Sequence, residues 1–351
     1  MARVYNKVGS LTAVMNELHR HAIHEFTTIE QIVLFTSRIE QERARIYGRV
    51  KEGLLKEKAQ LPAIISESRR SLEKVKADTI ESLMAQQADL ELKCAEILAR
   101  DAGLFGTIWN WVDRQIIEMK IRKAKVRFNT RLADATTIYE ADLISKDERL
   151  GRLTRSFEGV LEESCEPELY ELNRRKAVID SLSNQIHGAI GELKVENALR
   201  NLSDNSIIIN DFSISFDKPL YFKQKNQYIY SVQVDHLLIT HAGVFVIETK
   251  NWSEYSVRSR DMFFPVNQVR RAGYVLYVML SDPETVLGRR HLWGKQRIPV
   301  RNLIVFTAHK PTNEFQFVKI LSLNQLEGYI NYFKPIYSPE DTLRIAEFFI
   351  R

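Results

Sequence analysis

Proline is distributed unevenly along this chain of 351 residues, and that distribution limits where long helices can form. Pro62 and Pro167 bracket 104 residues without proline, whereas the other seven prolines all follow residue 200. Proline interrupts a helix because it lacks an N–H donor and its ring clashes with the preceding turn. The proline-free stretch is also rich in Glu, Lys, Arg, Ala, Leu and Gln, which favour helices. We therefore expect a helical region over residues 1–180 and a second domain over residues 181–351.

The helical region is expected to contain long helices that pair with one another. Helices are predicted over residues 29–59, 61–101 and 108–164, with breaks at Leu61-Pro62 and near residues 101–106. In the second helix, two sets of mainly apolar positions alternate steps of four and three residues: 61, 65, 68, 72, 75 and 83, 87, 90, 94, 97. A helix of about 40 residues extends ~60 Å and cannot bury such a seam alone. The pattern predicts a helical hairpin or coiled coil, with its partner helix in the same chain or in a homo-oligomer.

The expected tip of the hairpin, near residues 101–112, carries Phe105, Trp109 and Trp111. These side chains could contact a membrane interface or a partner, but a small core that closes the tip is the simpler interpretation. No segment approaches the roughly 18 consecutive apolar residues that span a bilayer, so a membrane-embedded protein is not expected.

The two cysteines, Cys94 and Cys165, show neither the spacing of a zinc site nor that of a disulfide framework. The first residues also lack the uninterrupted apolar stretch of a secretory signal. Both features predict a cytoplasmic protein.

After about residue 200 the sequence changes to short runs that are rich in β-branched and aromatic residues. Strands are predicted over residues 206–216, 228–240, 244–250 and 302–307. Helices are predicted over residues 185–200, 266–281, 323–333 and 340–350. The order predicts an α+β chain, in which an all-α hairpin precedes a central mixed sheet flanked by helices.

Charged residues interrupt two of the predicted strands. Asp235 lies within one of them, and Glu248 and Lys250 end the next one. Residues two apart on a strand project from one face, so Glu248 and Lys250 should lie side by side. A two-residue loop, either His241-Ala242 or Ala242-Gly243, would place Asp235 opposite Glu248 or Lys250. Either register brings the three charged groups together.

Two buried carboxylates need a paired cation or a bound metal. Mg²⁺ or Mn²⁺ would suit such a pair, because these ions prefer oxygen ligands and keep water molecules. Lys250 could orient or help deprotonate such a water, or stabilise charge on a phosphate. The spacing Glu-x-Lys is weak evidence by itself, since it occurs four times in the chain. A plain ion pair between Asp235 and Lys250 therefore remains an alternative.

Four segments together resemble a known family. They are Gly188-Ala-Ile-Gly-Glu192, Gln233-Val-Asp-His236, Gly243-Val-Phe-Val-Ile-Glu-Thr-Lys-Asn-Trp252 and Pro265-Val-Asn-Gln268. In this order and spacing they resemble the NERD family, the nuclease-related domain, which belongs to the PD-(D/E)xK nuclease superfamily. The resemblance covers about residues 185–310. Val234 stands where the superfamily's name has proline.

The resemblance implies a PD-(D/E)xK-like fold and a metal-dependent nuclease. It implies that Asp235 and Glu248 are metal ligands and that Lys250 is the catalytic lysine. Glu192 would be a further acidic group at the metal or its water, and Gln268 would orient the site or the nucleic-acid backbone. DNA is the more expected substrate.

Basic residues follow these motifs and are candidates to bind phosphates. They are Arg270, Arg271, Arg289, Arg290, Lys295 and Arg297. Two other functions stay open: a non-catalytic nucleic-acid-binding module, and a coiled-coil adaptor within a larger assembly.

Overall fold

The computed structural model describes residues 1–99, 104–259, 261–281 and 297–350. Its contacts divide the chain into two compact units, Met1–Arg38 together with Asn173–Arg351, and Ile39–Leu172. The predicted division at residue 180 differs from this one, because the first residues pack with the sheet. The strand β1 (Arg3–Tyr5) extends the sheet, and the helix α1 (Gly9–Arg20) buries Val14 and Leu18 in one cluster with Ile186. These contacts join residues far apart in sequence.

Three helices make up or enter the second unit: α2 (Ile29–Leu98), α3 (Leu104–Arg155) and α4 (Phe157–Ser181). The predicted break at Leu61-Pro62 is wrong, because α2 continues through Pro62. Leu61 and Ile65 on either side of the proline are buried, whereas Pro62 itself is exposed. Packing of the flanking turns therefore maintains the helix although proline removes one of its hydrogen bonds.

The predicted hairpin is present within Ile39–Leu172. Side-chain ion pairs join α2 to α3. As the residue numbers on α2 increase, those of the partners on α3 decrease, so the two helices are antiparallel. The ion pairs include Glu57–Arg149 at 2.7 Å, Lys76–Glu140 at 3.1 Å and Glu91–Lys125 at 3.3 Å. All ten predicted seam positions, from Leu61 to Ile97, are buried or partly buried. The pairing predicted for this seam is confirmed, and its partner helix lies in the same chain.

The tip of the hairpin carries exposed aromatic side chains. Trp109 and Trp111 are 70% and 62% exposed, so they do not form the small core that was expected there. The side chain of Phe105 lies outside the described residues. Within the described ranges, the helices are too short or too polar to cross a membrane.

The other unit contains a six-stranded mixed sheet, which confirms the predicted fold class. Its strands follow β1 in chain order: β2 (Ile207–Phe222), β3 (Gln227–Thr240), β4 (Gly243–Lys250), β5 (Val300–Phe306) and β6 (Lys319–Ser322). The spatial order is the same as the chain order. Strands β2, β3 and β4 are antiparallel neighbours. The remaining neighbours are parallel: β1 with β2, β5 with β4, and β6 with β5.

Helices cover both faces of this sheet. They are α5 (Ser183–Arg200), α6 (Glu254–Ser259), α7 (Phe263–Met279), α8 (Leu323–Asn331) and α9 (Pro339–Ile350). Along β4, Phe245 and Ile247 pack in a cluster with Val195 of α5. Val244 and Val246 pack instead with α7. The alternation of a strand thus gives β4 two buried faces, and Glu248 and Lys250 continue the face that meets α7.

Replacing Pro62 with alanine should stabilise the helical unit. The variant Pro62→Ala restores a backbone donor in the middle of α2 and removes the clash with the preceding turn, so the free energy of unfolding should rise by about 1–3 kcal/mol. Urea unfolding followed by far-UV circular dichroism measures this change. A loss of stability would show that the native helix is interrupted at this residue.

Candidate active site

A tight turn sets the register of the two central strands. Thr240 pairs with Gly243, so the loop consists of His241 and Ala242, the first of the two expected loops. Gly243 has a φ of +114°, and a Cβ at this position would lie 2.6 Å from the carbonyl oxygen of Pro299. Glycine is therefore required both for the turn and for the close approach of β5.

This register brings the predicted charged residues together. The last ladder pair of β3 and β4 is His236 with Ile247, so the next pair of positions holds Asp235 and Glu248. Lys250 donates a hydrogen bond from Nζ to Glu248 Oε1 at 2.6 Å. Lys250 thus forms its ion pair with Glu248, in place of the alternative pair with Asp235. Its side chain is 20% exposed and that of Glu248 is 3% exposed.

The helix α7 adds the predicted glutamine to this group. Gln268 donates from Nε2 to Glu248 Oε2 at 2.9 Å. The two oxygens of the buried carboxylate are therefore held by different partners, one charged and one neutral. Gln268 thus contacts the predicted metal ligand Glu248 directly.

Asp235 is held by the backbone of the neighbouring strand. Its Oδ2 accepts a hydrogen bond at 2.6 Å from the backbone N–H of Thr249. Part of the residue stays exposed to solvent. The carboxylate is thus fixed next to the end of β4.

Glu192 approaches the same place from α5 and is almost fully buried. Ser10 binds it with two donors, the backbone N–H to Oε2 at 3.3 Å and the hydroxyl to Oε1. At Gly191 a Cβ would lie 2.9 Å from the Cβ of Asn251, which follows β4 directly. The small residue therefore lets α5 come close to the end of the strand that carries Lys250.

Asp211 is a further acidic residue of the site that the sequence analysis missed. It lies between Asn210 and Phe212, which pair with His236 and Val234, and so stands across from Asp235. Its φ is +50°, and its Oδ1 accepts a hydrogen bond at 2.6 Å from Gln233 Nε2. An acidic residue within the β-branched run Ser206–Phe216 is the same kind of pattern that identified Asp235.

Burial and mutual repulsion raise the pKa values of these carboxyls. Burial, and next the charge of Asp235, raise the pKa of Glu192 to about 7, although Ser10 acts in the opposite direction. Burial and Asp235 likewise raise the pKa of Glu248 to about 8, against the effect of Lys250. Burial also raises the pKa of Asp235 itself, despite Lys250 and the N–H of Thr249. When all its carboxyls are ionised, the group therefore carries more negative charge than Lys250 can balance.

Lys250 stays charged in this surrounding. Burial acts against its charge, but Glu248 and Asp235 outweigh burial and raise its pKa. A lysine with a raised pKa is a poor proton acceptor near neutral pH. Of the roles considered for it, stabilising negative charge is the one that its surroundings favour.

The acidic side chains suit a divalent cation in their chemistry. In the part of the chain that the structure describes, their positions form no ready-made group of three metal-binding side chains. Mg²⁺ sites, however, use only one or two carboxylates, with water and phosphate oxygens as the remaining ligands. Asp235 and Glu248 provide two such carboxylates, and an ion between them would relieve the repulsion that raises their pKa values.

His236, beside Asp235, belongs to the opposite face of the strand. It is fully buried, and its Nδ1 lies 2.7 Å from Asn210 Oδ1. Burial lowers the pKa of His236 to about 3, so the imidazole is neutral.

Some of the basic residues predicted to bind phosphates lie within the described residues. Arg270 binds the carbonyl oxygen of Gln316, and the guanidinium of Arg297 lies 5.1 Å from the ring centre of Tyr277. Arg271 lines a groove of about 560 Å³ together with Gln233 and Gln268. Arg289, Arg290 and Lys295 lie outside the described residues.

Comparison with known families supports the resemblance noted from the sequence. Residues 187–307 match the model of NERD, the nuclease-related domain. The resemblance is confirmed for this segment, about a third of the chain, which contains Glu192, Asp235, Glu248, Lys250 and Gln268. No curated protein and no solved structure matches the chain significantly.

The raised pKa values predict how stability depends on pH without metal. A carboxyl with a raised pKa contributes stability that is complete below its unfolded value, about 4.5, and lost as pH rises through its folded value. For Glu192 and Glu248 the folded values are about 7 and about 8. In EDTA the melting temperature should therefore fall between about pH 5 and about pH 8. Mg²⁺ should oppose this fall, and its effect should grow with pH.

The variant Glu248→Gln removes the carboxyl with the higher pKa and should abolish most of the Mg²⁺ effect. Glu314→Gln, at an exposed position of the same unit, is the matched control and should behave like the wild type. Equal stabilisation of all three proteins by Mg²⁺ would mean that the ion binds elsewhere.

Proposed function

We propose that this protein is a metal-dependent nuclease that hydrolyses phosphodiester bonds, in DNA rather than RNA, in the cytoplasm. The match to the nuclease-related domain supports a nuclease-related function. The observation that carries the proposal is the convergence of Asp235, Glu248 and the charged Lys250 at the end of β4. A strand end that needed only stability would have no reason to bury two acids beside one another.

Each residue of the group has a definite task in this proposal. Asp235 and Glu248 would hold Mg²⁺ or Mn²⁺, with Glu192 as a further acidic group at the ion or its water. Such an ion supplies a water of lowered pKa and polarises the scissile phosphate. Gln268 keeps one oxygen of Glu248 in place.

Lys250 would bind the phosphate on which negative charge develops. An ammonium group has three N–H donors, and the bond to Glu248 uses one of them. The side chain of Lys250 is 20% exposed, which gives a phosphate a path to its ammonium group. Binding between charges in a partly buried site is strong because water screens them little.

The basic residues would bind the flanking backbone of the nucleic acid. Arg271 lies beside Gln268 in the groove near the carboxylates, and it is the described candidate best placed for this task. Arg270, Arg289, Arg290, Lys295 and Arg297 are proposed for the same role. Their contacts would make binding depend strongly on salt.

The helical hairpin would serve assembly. Its own seam is closed within the chain, yet Leu92 and Val126 are 60% and 80% exposed on its surface. Exposed apolar side chains of this kind favour a partner helix, and we propose a second copy of the chain as that partner.

Cleavage assays on the variants test the catalytic group. Lys250→Ala should lower the rate of DNA cleavage by at least about 100-fold, because it removes the positive charge beside the phosphate. Asp235→Asn should have an effect of similar size, because it removes a carboxylate from the ion. The rates are measured on linear, circular and single-stranded DNA and on RNA, with Mg²⁺, Mn²⁺ or EDTA.

Lys120→Ala is the matched control, because Glu118 and Lys120 have the same spacing as Glu248 and Lys250 but lie on α3. It should cleave at the wild-type rate. If the wild-type protein cleaves none of the substrates with either ion, the catalytic proposal is wrong. Binding of DNA that persists in Asp235→Ala would then support the non-catalytic alternative.

Gln268→Ala tests whether this residue positions Glu248. The rate should fall by about 10- to 100-fold, and the Mg²⁺ concentration for half-maximal rate should rise. Asn331→Ala, at an exposed position of α8 in the same unit, is the control and should change neither quantity. A lower rate with an unchanged Mg²⁺ requirement would contradict a positioning role.

A further inference from the structure

A second cavity lies beside α7, away from the carboxylates. It has a volume of about 720 Å³, within the roughly 300–1,000 Å³ range of small-molecule sites. Helix α7, the first residues of β5 and the segment before β6 form its walls. Its cationic lining residues are Arg270, Arg301 and Lys319. The described residues around it include no acid, so its walls attract anions.

The cavity is distinct from the candidate active site. In the pairing of β4 with β5, Glu248 lies opposite Ile304, whereas the cavity is lined by Val300, Arg301 and Asn302. Asn302, the nearest of these, lies two residues before Ile304, which corresponds to roughly 7 Å along the strand. Asp235, Glu248 and Lys250 are not among the described residues that line the cavity.

Aromatic rings form a large part of the walls. They belong to Phe222, Tyr274, Tyr277, Phe315, Phe317 and Tyr329. Phe222 and Tyr274 already stack on each other, with ring centres 4.6 Å apart. Phe317, in contrast, is 70% exposed, so one face of its ring is available.

Phe317 is held in a conformation that an aromatic residue seldom adopts. Its φ is +63°, in the left-handed region. Bulky residues there are strained, and such strain persists where the surroundings fix it. Here Asn302 Nδ2 donates to the carbonyl oxygen of Phe317 at 3.1 Å, and Arg270 binds the preceding carbonyl of Gln316. Two residues that line the cavity thus hold the exposed ring at its rim.

Contacts within the protein hold the two arginines of the cavity in place. Arg270 donates to the carbonyl oxygen of Gln316. Arg301 is oriented by Ala242, whose carbonyl oxygen accepts from Nη1 at 2.7 Å, and its guanidinium lies 3.8 Å from the ring centre of Phe333. Lys319 is exposed. A bound anion would therefore meet cations that are already in place.

We propose that this cavity binds a nucleotide, with the base on the ring of Phe317 and the phosphate between Arg270 and Lys319. Cations without neighbouring acids suit a phosphate, and an exposed aromatic ring beside them suits a base. The ligand is either a free nucleotide or the terminal nucleotide of a nucleic-acid strand. Binding at this place requires neither the carboxylates nor a metal ion.

Binding measurements in EDTA test the proposal on the full chain. The probes are a fluorescent derivative of adenosine monophosphate and a dye-labelled single-stranded DNA, each competed with adenosine monophosphate, adenosine or inorganic phosphate. Phe317→Asn removes the ring but keeps a residue that tolerates the left-handed region. It should weaken binding by about 5- to 100-fold, the range expected for the loss of one stacked base. Phe317→Tyr should restore it. Lys319→Gln should weaken competition by adenosine monophosphate and by inorganic phosphate but not competition by adenosine.

Tyr332→Ala is the matched control, because Tyr332 is 80% exposed on the same unit but does not line the cavity. It should bind like the wild type. Loss of mononucleotide binding in Phe317→Asn supports a free nucleotide, and loss of DNA binding alone supports a strand end. If neither probe binds, or if Phe317→Asn and Tyr332→Ala bind equally, the proposal is wrong. Lys250→Ala leaves this cavity intact. Nucleotide binding by this variant therefore distinguishes a failure of the cavity proposal from a failure of the catalytic proposal.

Discussion

The arrangement of the site depends on the carboxylate of Glu248. It is buried beside another acid, so fixed partners must balance its negative charge. Lys250 and Gln268 each hold one of its oxygens, and the backbone of Thr249 holds Asp235 next to it. Burying Glu248, Asp235 and Lys250 together costs free energy, and the ion pair between Glu248 and Lys250 offsets only part of this cost. The raised pKa values of Glu192 and Glu248 express the remaining imbalance. A divalent ion would remove it, which supports the proposal that the group is a metal site rather than a structural ion pair.

The fold supplies the precision that such a group requires. The two-residue loop at His241-Ala242 fixes the register of β3 against β4, and a slip of one residue would move Glu248 to the opposite face. Gly243 allows β5 to lie against the turn, and Gly191 allows α5 to approach the strand end. The helix α1 also contributes, because its residue Ser10 binds Glu192 through two donors. Elements from separate parts of the chain therefore hold one cluster of charges.

Local patterns in the sequence predicted most of the regular structure. The strands around Asp235 and Glu248, the helices that follow, and the seam of the hairpin all show their own periodicity, so they could be recognised without tertiary information. Pro62 misled the prediction because packing on both sides maintained the helix against a local preference. The strands β1 and β6 have only three and four residues, too few for a pattern. Asp211 interrupts a β-branched run as Asp235 does, so its sequence pattern could have identified it. Ser10 reaches the site through a long-range contact, which leaves no periodic trace in a sequence.

The central claim is that Asp235 and Glu248 bind one divalent ion between them. Crystals soaked with Mn²⁺ and measured for anomalous scattering test it directly, because the method locates the ion without any assumption about activity. We predict one anomalous peak within about 2.0–2.4 Å of oxygens of both carboxylates, with the remaining ligands supplied mainly by water. A map without a peak there, with Glu248 still bound to Lys250 and Gln268, would contradict the account.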